Sequence, residues 1–180
     1  MQNLIWRDVR LNGWKPNEPK GTKVMECNLD TPLQWFVDYS KSFSETFKGK
    51  DNVSLKLMAH GYYTAGSGGY GIQFCKEDLK ITNLEKLYPL RDRFKGGVTL
   101  FSCGAAAITP GSGAGNGNGA ILCRRIAMIL NTNVTAADAK QLYGMGTGPT
   151  HGIDFGKWQG NVFTWDKNGK LLTKETHPLD

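Results

Sequence analysis

Segments typical of buried strands alternate with segments typical of amphipathic helices along this chain. VSLKLMAHG (53–61) and GGVTLFSCG (96–104) are apolar runs that end in a polar tip and a glycine, as buried strands do when they reach the edge of a sheet. NVTAADA (133–139) has the composition of a further short strand. The spacing of apolar residues predicts three helices, at 31–49, 81–94 and 119–131.

The regions outside these elements have a different pattern. Residues 1–30 are rich in Trp, Pro and Lys and predict an irregular opening, and the glycine-rich segment 62–74 predicts a turn that returns into a short strand. Near the end of the chain, Asn168-Gly169 suits the tight turn of a β-hairpin. We expect a single domain, 1–180, with an N-terminal lead that contains one helix (1–50), a core (51–143) and a terminal hairpin region (144–180).

Strands that alternate with helices predict an α/β fold. The expected form is an αβα sandwich with a mostly parallel central sheet, helices on both faces, and a C-terminal β-hairpin. In such sheets, functional groups gather beyond the carboxyl ends of the strands. Both His60 and Cys103 fall at such ends.

The composition is that of one globular domain. The 180 residues are 39% hydrophobic and 21% charged, and a chain of this length can bury a sizeable core without disulfides or metals. No apolar run approaches the roughly 20 residues that a transmembrane helix needs, so we expect no membrane span. The N-terminus lacks the basic start and apolar stretch of a Sec signal, which favours a cytoplasmic protein or one exported by a dedicated secretion system.

The net charge of +6 does not by itself indicate a nucleic-acid partner. Lys and Arg are scattered along the chain, and no pattern of interleaved basic and aromatic residues accompanies them. We therefore expect no nucleic-acid partner. The three histidines, His60, His151 and His177, are far apart in sequence and far from the cysteines, so we expect no catalytic metal and no other cofactor.

The four cysteines have neither CxxC spacing nor the density of a disulfide scaffold. Free thiols are the expected state. Cys123, on the apolar face of a predicted helix, and Cys75 are interpreted as small buried hydrophobes. Cys103 differs from them because it lies at the end of a predicted strand, as His60 does at the end of another.

A cysteine and a histidine at two neighbouring strand ends can form a catalytic pair. A thiol becomes an effective nucleophile when an imidazole takes its proton and when hydrogen-bond donors await the oxyanion. His60 precedes Cys103, and their spacing is comparable with the roughly 50 residues between the two in caspases.

The motifs LMAHG and TLFSCG resemble those of the caspase-like, or clan CD, cysteine peptidases. The closer resemblance is to domains of bacterial polymorphic toxins and secretion-linked effectors, in which a Ser-Cys strand end is followed by a glycine-rich loop and a helix similar to ILCRRIAMILN. It implies an αβα sandwich with a catalytic core at 51–143, attack by the Cys103 thiolate, proton transfer by His60, and an oxyanion hole formed by the amides of Gly61 and Cys103. It also implies a polypeptide substrate, and a secretion-system carrier or a cognate immunity protein as a partner.

The chain departs from animal caspases at the positions that read the substrate. SCGAA replaces their QACRG-type signature, and no arginine matches their aspartate-binding pocket, so aspartate specificity is not expected. By positional analogy, Asp138 and Ser102 are candidate substrate-binding residues, with Asp138 recognising a basic side chain. The alternative for Asp138 is an ordinary surface carboxylate.

Two other functions remain open at this point. A papain-like or NlpC-type amidase that acts on peptidoglycan would use Cys27, before the helix at 31–49, with His60 or His151 as its base. A non-catalytic binding or immunity-type module on the same fold would leave Cys103 inert.

Overall fold

The structure is a computed structural model that describes residues 2–47, 52–64, 67–145 and 153–179. The strands in these ranges are β1 (Gln2–Asp8), β2 (Thr22–Cys27), β3 (Val53–Met58), β4 (Val98–Phe101), β5 (Val134–Ala137), β6 (Tyr143–Met145), β7 (Ile153–Phe155), β8 (Gly160–Trp165) and β9 (Leu171–His177). The helices are α1 (Leu33–Thr46), a 3₁₀ helix (Ile81–Leu90) and α2 (Gly119–Leu130).

Seven of these strands form one sheet in the order β2-β1-β3-β4-β5-β8-β9. The first five are parallel to their neighbours, and β8 and β9 are antiparallel. The prediction of an α/β fold with a mostly parallel sheet and a C-terminal β-hairpin is confirmed. β6 and β7 form a separate two-stranded sheet.

The prediction of an irregular opening is wrong. β1 lies inside the main sheet between β2 and β3, so the N-terminal segment is part of the sheet rather than a lead to it. Leu4 and Trp6 point into the main core, whereas Ile5 and Arg7 face the other side, where further residues cover them. Because both faces of β1 are covered, its residues do not show the apolar and polar alternation that identifies a half-buried strand.

Two local predictions also change. The segment 62–74 forms no strand among the described residues; instead Ile72 makes isolated bridges to Gly61 and Leu79. The helix predicted at 81–94 is a 3₁₀ helix that contains Pro89, which supplies no backbone N–H for an α-helical hydrogen bond.

All three helices pack on one face of the sheet, whereas the sequence predicted helices on both faces. The 3₁₀ helix contacts both α1 and α2, and one apolar core joins all three to alternate residues of β1, β3, β4 and β5. The opposite face carries a smaller cluster, in which Leu11 and Met58 are buried against Ile5, Phe101 and Tyr143. In the described ranges this second layer contains no helix; it consists of chain from the β1–β2 connection, from β6, and from β7 and the segment after it, where Phe155 stacks on Phe101 at a centroid distance of 3.9 Å.

The connections explain this one-sided arrangement. The chain moves in the same direction across the sheet from β2 through β3 and β4 to β5, and right-handed crossovers therefore place all three helices on the same face. Only the step from β1 to β2 runs the other way, and this connection lies on the opposite face. Arg7 holds it there through hydrogen bonds to the carbonyls of Leu11 and Gly13.

Trp6 is the largest fully buried side chain of the core. Its ring makes edge-on contacts with Trp35 and Phe36, each at a centroid distance of 5.2 Å, and with Tyr39 at 5.7 Å. Such aromatic pairs add to the stability that burial provides. The contacts join β1 to α1.

We expect Trp6→Ala to lower the free energy of unfolding by about 3–5 kcal/mol, because it leaves a large cavity in this core. Urea denaturation followed by circular dichroism measures the change. Trp14→Ala is the matched control: Trp14 is 69% exposed, and its removal should change stability by less than about 0.5 kcal/mol. Equal effects of the two substitutions would contradict the central place of Trp6.

Candidate active site

His60 and Cys103 follow two neighbouring parallel strands. β3 and β4 pair with Met58 opposite Phe101, and His60 and Cys103 are each the second residue beyond these ends. The pairing continues past the strands, since the Ala59 amide donates to the Phe101 carbonyl at 3.3 Å. Both residues are partly exposed. The edge of the sheet therefore brings the two sequence-predicted catalytic residues to the same place.

Gly61 packs directly against the residue that carries the thiol. A Cβ atom at Gly61 would overlap the Cys103 carbonyl oxygen, a backbone atom that cannot rotate away. Glycine is therefore required here by close approach of two backbones. The contact sets how near the His60-Gly61 segment and the Cys103 turn can lie.

The His60 ring is held by a backbone carbonyl. Its Nε2 lies 3.0 Å from the carbonyl oxygen of Arg10. A carbonyl only accepts hydrogen bonds, so this contact assigns the proton of the neutral ring to Nε2 and leaves Nδ1 as the basic nitrogen. The backbone of His60 is fixed as well, because the Gln73 amide donates to its carbonyl at 2.7 Å.

The Cys103 sulfur lies against the backbone of Gln141. The Gln141 amide donates to Sγ at 3.3 Å, and the thiol lies 3.5 Å from the Gln141 carbonyl. The Gln141 side chain is buried and is anchored by bonds to the carbonyls of Ala139 and Gln159 at 3.0 and 2.9 Å. The sulfur thus has a fixed neighbour on the β5–β6 connection.

Two backbone amides at this site, those of Gly61 and Cys103, have no backbone acceptor in the described ranges. Unpaired amides beside a nucleophile are what an oxyanion hole requires. The role of these two amides as an oxyanion hole stays a prediction.

Cys103 is the only one of the four cysteines that is not buried. Burial raises the pKa of the Cys123 thiol, and a hydrogen bond with Cys27, together with burial, raises the pKa of the Cys75 thiol. The interpretation of Cys75 and Cys123 as buried thiols is confirmed. Cys27 belongs to β2 and is buried, with its sulfur 3.6 Å from Asp8 Oδ2.

Tyr143 closes the site on the side of the second sheet. Its hydroxyl donates to the Phe101 carbonyl, at the end of β4. Burial and the nearby Cys103 sulfur raise the pKa of this phenol, so that it remains a hydrogen-bond donor at neutral pH. The predictions from sequence did not include Tyr143.

Neither the Asp138 carboxylate nor the Ser102 hydroxyl is free to bind a ligand in this structure. The Asp138 carboxylate accepts two hydrogen bonds from Asn161, one from the amide at 2.9 Å and one from Nδ2 at 2.8 Å, and these join β5 to β8. Ser102 is fully buried, and its hydroxyl has no partner among the described residues. A substrate would have to compete with Asn161 for Asp138, and it cannot reach Ser102 in this conformation.

A cleft of about 530 Å³ opens beside Gly61. Its walls are polar and aromatic, and Lys80 carries the only charge among the lining residues. These are Gly61, Tyr62, Tyr63, Thr64, Ser67, Tyr70, Gln73, Lys80 and Asn116. The cleft has the size of a small-ligand site, and neither His60 nor Cys103 is among its lining residues.

The remaining histidines do not extend the site. His177 belongs to β9, where Nε2 lies 3.6 Å from Glu175 Oε2, and His151 lies outside the described residues. Within the described ranges, no group of three or more His, Cys, Asp or Glu side chains is arranged to hold a metal ion. In the same ranges no helix has the length and apolar character to cross a membrane.

Comparison with known proteins adds no relative: no family model, curated protein or solved structure matches the chain.

We expect Gly61→Ala to lower the free energy of unfolding by about 1–3 kcal/mol, because the added methyl group must displace the Cys103 backbone. Urea denaturation measures this change. Gly115→Ala is the control, since a Cβ there has the Ser112 carbonyl oxygen as its nearest contact, at an ordinary 3.5 Å. If the two variants were equally stable, the close approach at Gly61 would not hold in solution.

Proposed function

We propose that the chain is a cysteine peptidase in which His60 and Cys103 form a catalytic dyad. The observation that carries the proposal is the register of β3 and β4, which places the two residues at adjacent strand ends. The partial exposure of Cys103 and the His60 contact with Arg10 support it. The proposal includes the caspase-like type of αβα sandwich, with which the mostly parallel sheet is compatible, although the helices in the described ranges cover one face of it.

The proposed reaction begins with the transfer of the Cys103 thiol proton to His60 Nδ1. The sulfur attacks the carbonyl carbon of a peptide bond, and the amides of Gly61 and Cys103 stabilise the negative oxygen of the tetrahedral intermediate. The carbon–nitrogen bond then breaks, and His60 gives its proton to the leaving amine. Water, activated by His60, hydrolyses the thioester and regenerates the free thiol.

The substrate in this proposal is a polypeptide, and the cleft beside Gly61 is where its residues next to the cleaved bond would bind. The resemblance to effector-associated domains extends the proposal to a bacterial toxin or effector, or to the processing domain of one. A secretion carrier or a cognate immunity protein would then be its protein partner. A basic side chain of the substrate could pair with Asp138 only if the Asp138 carboxylate gave up its hydrogen bonds from Asn161.

We expect limiting iodoacetamide at neutral pH to alkylate Cys103 faster than the three buried cysteines. His60→Ala should slow labelling of Cys103 by about 10²-fold or more, the scale of a general base, because the imidazole no longer takes the thiol proton. Peptide mass spectrometry after brief treatment measures each rate. His177→Ala is the control, since that histidine lies on β9, and it should leave the rate unchanged. If Cys103 were alkylated at the same rate with and without His60, the result would favour a non-catalytic module.

We expect Cys103→Ala to abolish cleavage of a mixed peptide library, with a loss on the order of 10³-fold or more. Mass spectrometry of the products provides the measurement. Cys27→Ala should retain cleavage, because its thiol is buried inside β2. The reverse result, loss with Cys27→Ala alone, would support the papain-like amidase instead, and muropeptides would then be the substrates to test.

A further inference from the structure

A partly buried ionic network lies beside His60 and is centred on Arg10, whose side chain is 20% exposed. Arg10 Nε and Nη2 donate to the two carboxylate oxygens of Asp8 at 2.8 and 2.7 Å, and Nη1 donates to Asp78 Oδ1 at 3.1 Å. Asp8 is fully buried at the end of β1. One guanidinium thus joins the end of a sheet strand to the segment that precedes the 3₁₀ helix.

The network fixes the backbone of Arg10 as well as its side chain. The Arg10 amide also donates to Asp8 Oδ1, at 3.0 Å, so that the residue is tied to Asp8 at two points. The carbonyl of the same residue is the acceptor for His60 Nε2. The Asp8 carboxylate thus holds both the guanidinium and the backbone of the residue whose carbonyl contacts the imidazole.

The segment 75–78 is held in a costly conformation where it contacts Arg10. Cys75 and Asp78 have φ values of 55° and 54°, in the left-handed region that residues other than glycine seldom adopt. Cys75 provides two bonds to the network: its carbonyl accepts from Arg10 Nη2 and its amide donates to Asp8 Oδ2, each at 3.0 Å. Strain of this kind persists only where the surroundings over-determine it, and it is concentrated at functional sites.

The network reaches the cleft through Tyr62. The Tyr62 hydroxyl donates to Asp78 Oδ2, and its ring lines the cleft beside Gly61. Burial and the Asp78 carboxylate raise the pKa of Tyr62 to about 12, so the phenol stays a donor over the working pH range. Lys80, also in the cleft wall, lies 3.5 Å from the same Asp78 oxygen.

We propose that Arg10, held by Asp8 and Asp78, is a positioning residue that keeps His60 in the tautomer with its proton on Nε2, and that Tyr62 joins this network to the cleft. The catalytic meaning of this inference rests on the proposed function. Stability alone is a weak reason for the network, because only Asp8 is fully buried and partly exposed ion pairs contribute little to stability. A network that orients a reacting group instead needs its forked, directional hydrogen bonds.

The test compares Arg10→Lys and Tyr62→Phe with the unmodified protein. Arg10→Lys keeps the charge opposite Asp8 but loses the forked donors, and Tyr62→Phe removes one hydroxyl and keeps every ionic group. Nitrogen-15 NMR of the His60 ring near pH 8, where imidazoles are ordinarily neutral, reports which nitrogen carries the proton. Arg125→Lys is the matched control, since Arg125 pairs with Glu85 at 3.1 Å on the surface.

The unmodified protein and Arg125→Lys should show a single tautomer, protonated on Nε2. Both network variants should show a mixture of tautomers, and alkylation of Cys103 should slow by about 10-fold, the usual scale for loss of a group that orients a reacting side chain. Unchanged tautomer populations in the two variants overturn the inference. If Arg10→Lys does not fold, Tyr62→Phe decides alone by the same criterion.

The tautomer measurement is independent of the proposed peptidase activity. If Cys103 reacts without help from His60, the proposed function fails, while a network-dependent tautomer still supports the positioning of His60 by Arg10. If the alkylation rate of Cys103 depends on His60 but the tautomer of the His60 ring is unchanged in the Arg10 and Tyr62 variants, the proposed dyad stands and the positioning role of Arg10 fails.

Discussion

The parallel pairing of β3 with β4 is the constraint on which the rest of this site depends. Parallel strands deliver their carboxyl ends to one edge of the sheet, and the pairing of Met58 with Phe101 carries His60 and Cys103 to neighbouring positions there. Close approach of Gly61 to the Cys103 carbonyl then limits the separation of the two segments. Each later feature, from the amides of Gly61 and Cys103 to the cleft beside Gly61, lies at this same edge.

Around this edge, backbone groups contact the His60 and Cys103 side chains. Charged side chains in turn hold the backbone of Arg10 in place. The Arg10 carbonyl holds His60, and the Gln141 amide holds the Cys103 sulfur. Behind Arg10, the buried carboxylate of Asp8 accepts bonds from its guanidinium. Burying charge is expensive, and the left-handed conformation of Asp78 adds to the cost. These costs lie beside His60, the residue that needs a fixed orientation in the proposed proton transfer.

The elements with a clear apolar pattern were predictable from sequence, and the contacts between them were not. β3 and β4 were found as apolar runs that end in a polar tip and a glycine, and α2 was found by its helical spacing of apolar residues. β1 was missed because its apolar run is short and polar residues flank it on both sides. His60 and Cys103 stand out as side chains at strand ends, whereas the Arg10 carbonyl and the Gln141 amide are backbone groups that every residue has. Only the folded chain shows that Asn161 occupies the Asp138 carboxylate.

The proposed function requires Cys103 to attack a peptide carbonyl with the help of His60. The most direct measurement is the mass of the protein after acid quench of a reaction with a library of activated peptide esters, followed by mapping of the acylated residue. The account predicts an acyl group on Cys103 that accumulates in the unmodified protein and is lost in His60→Ala. An acyl group on Cys27, or one on Cys103 that forms equally well without His60, would contradict it.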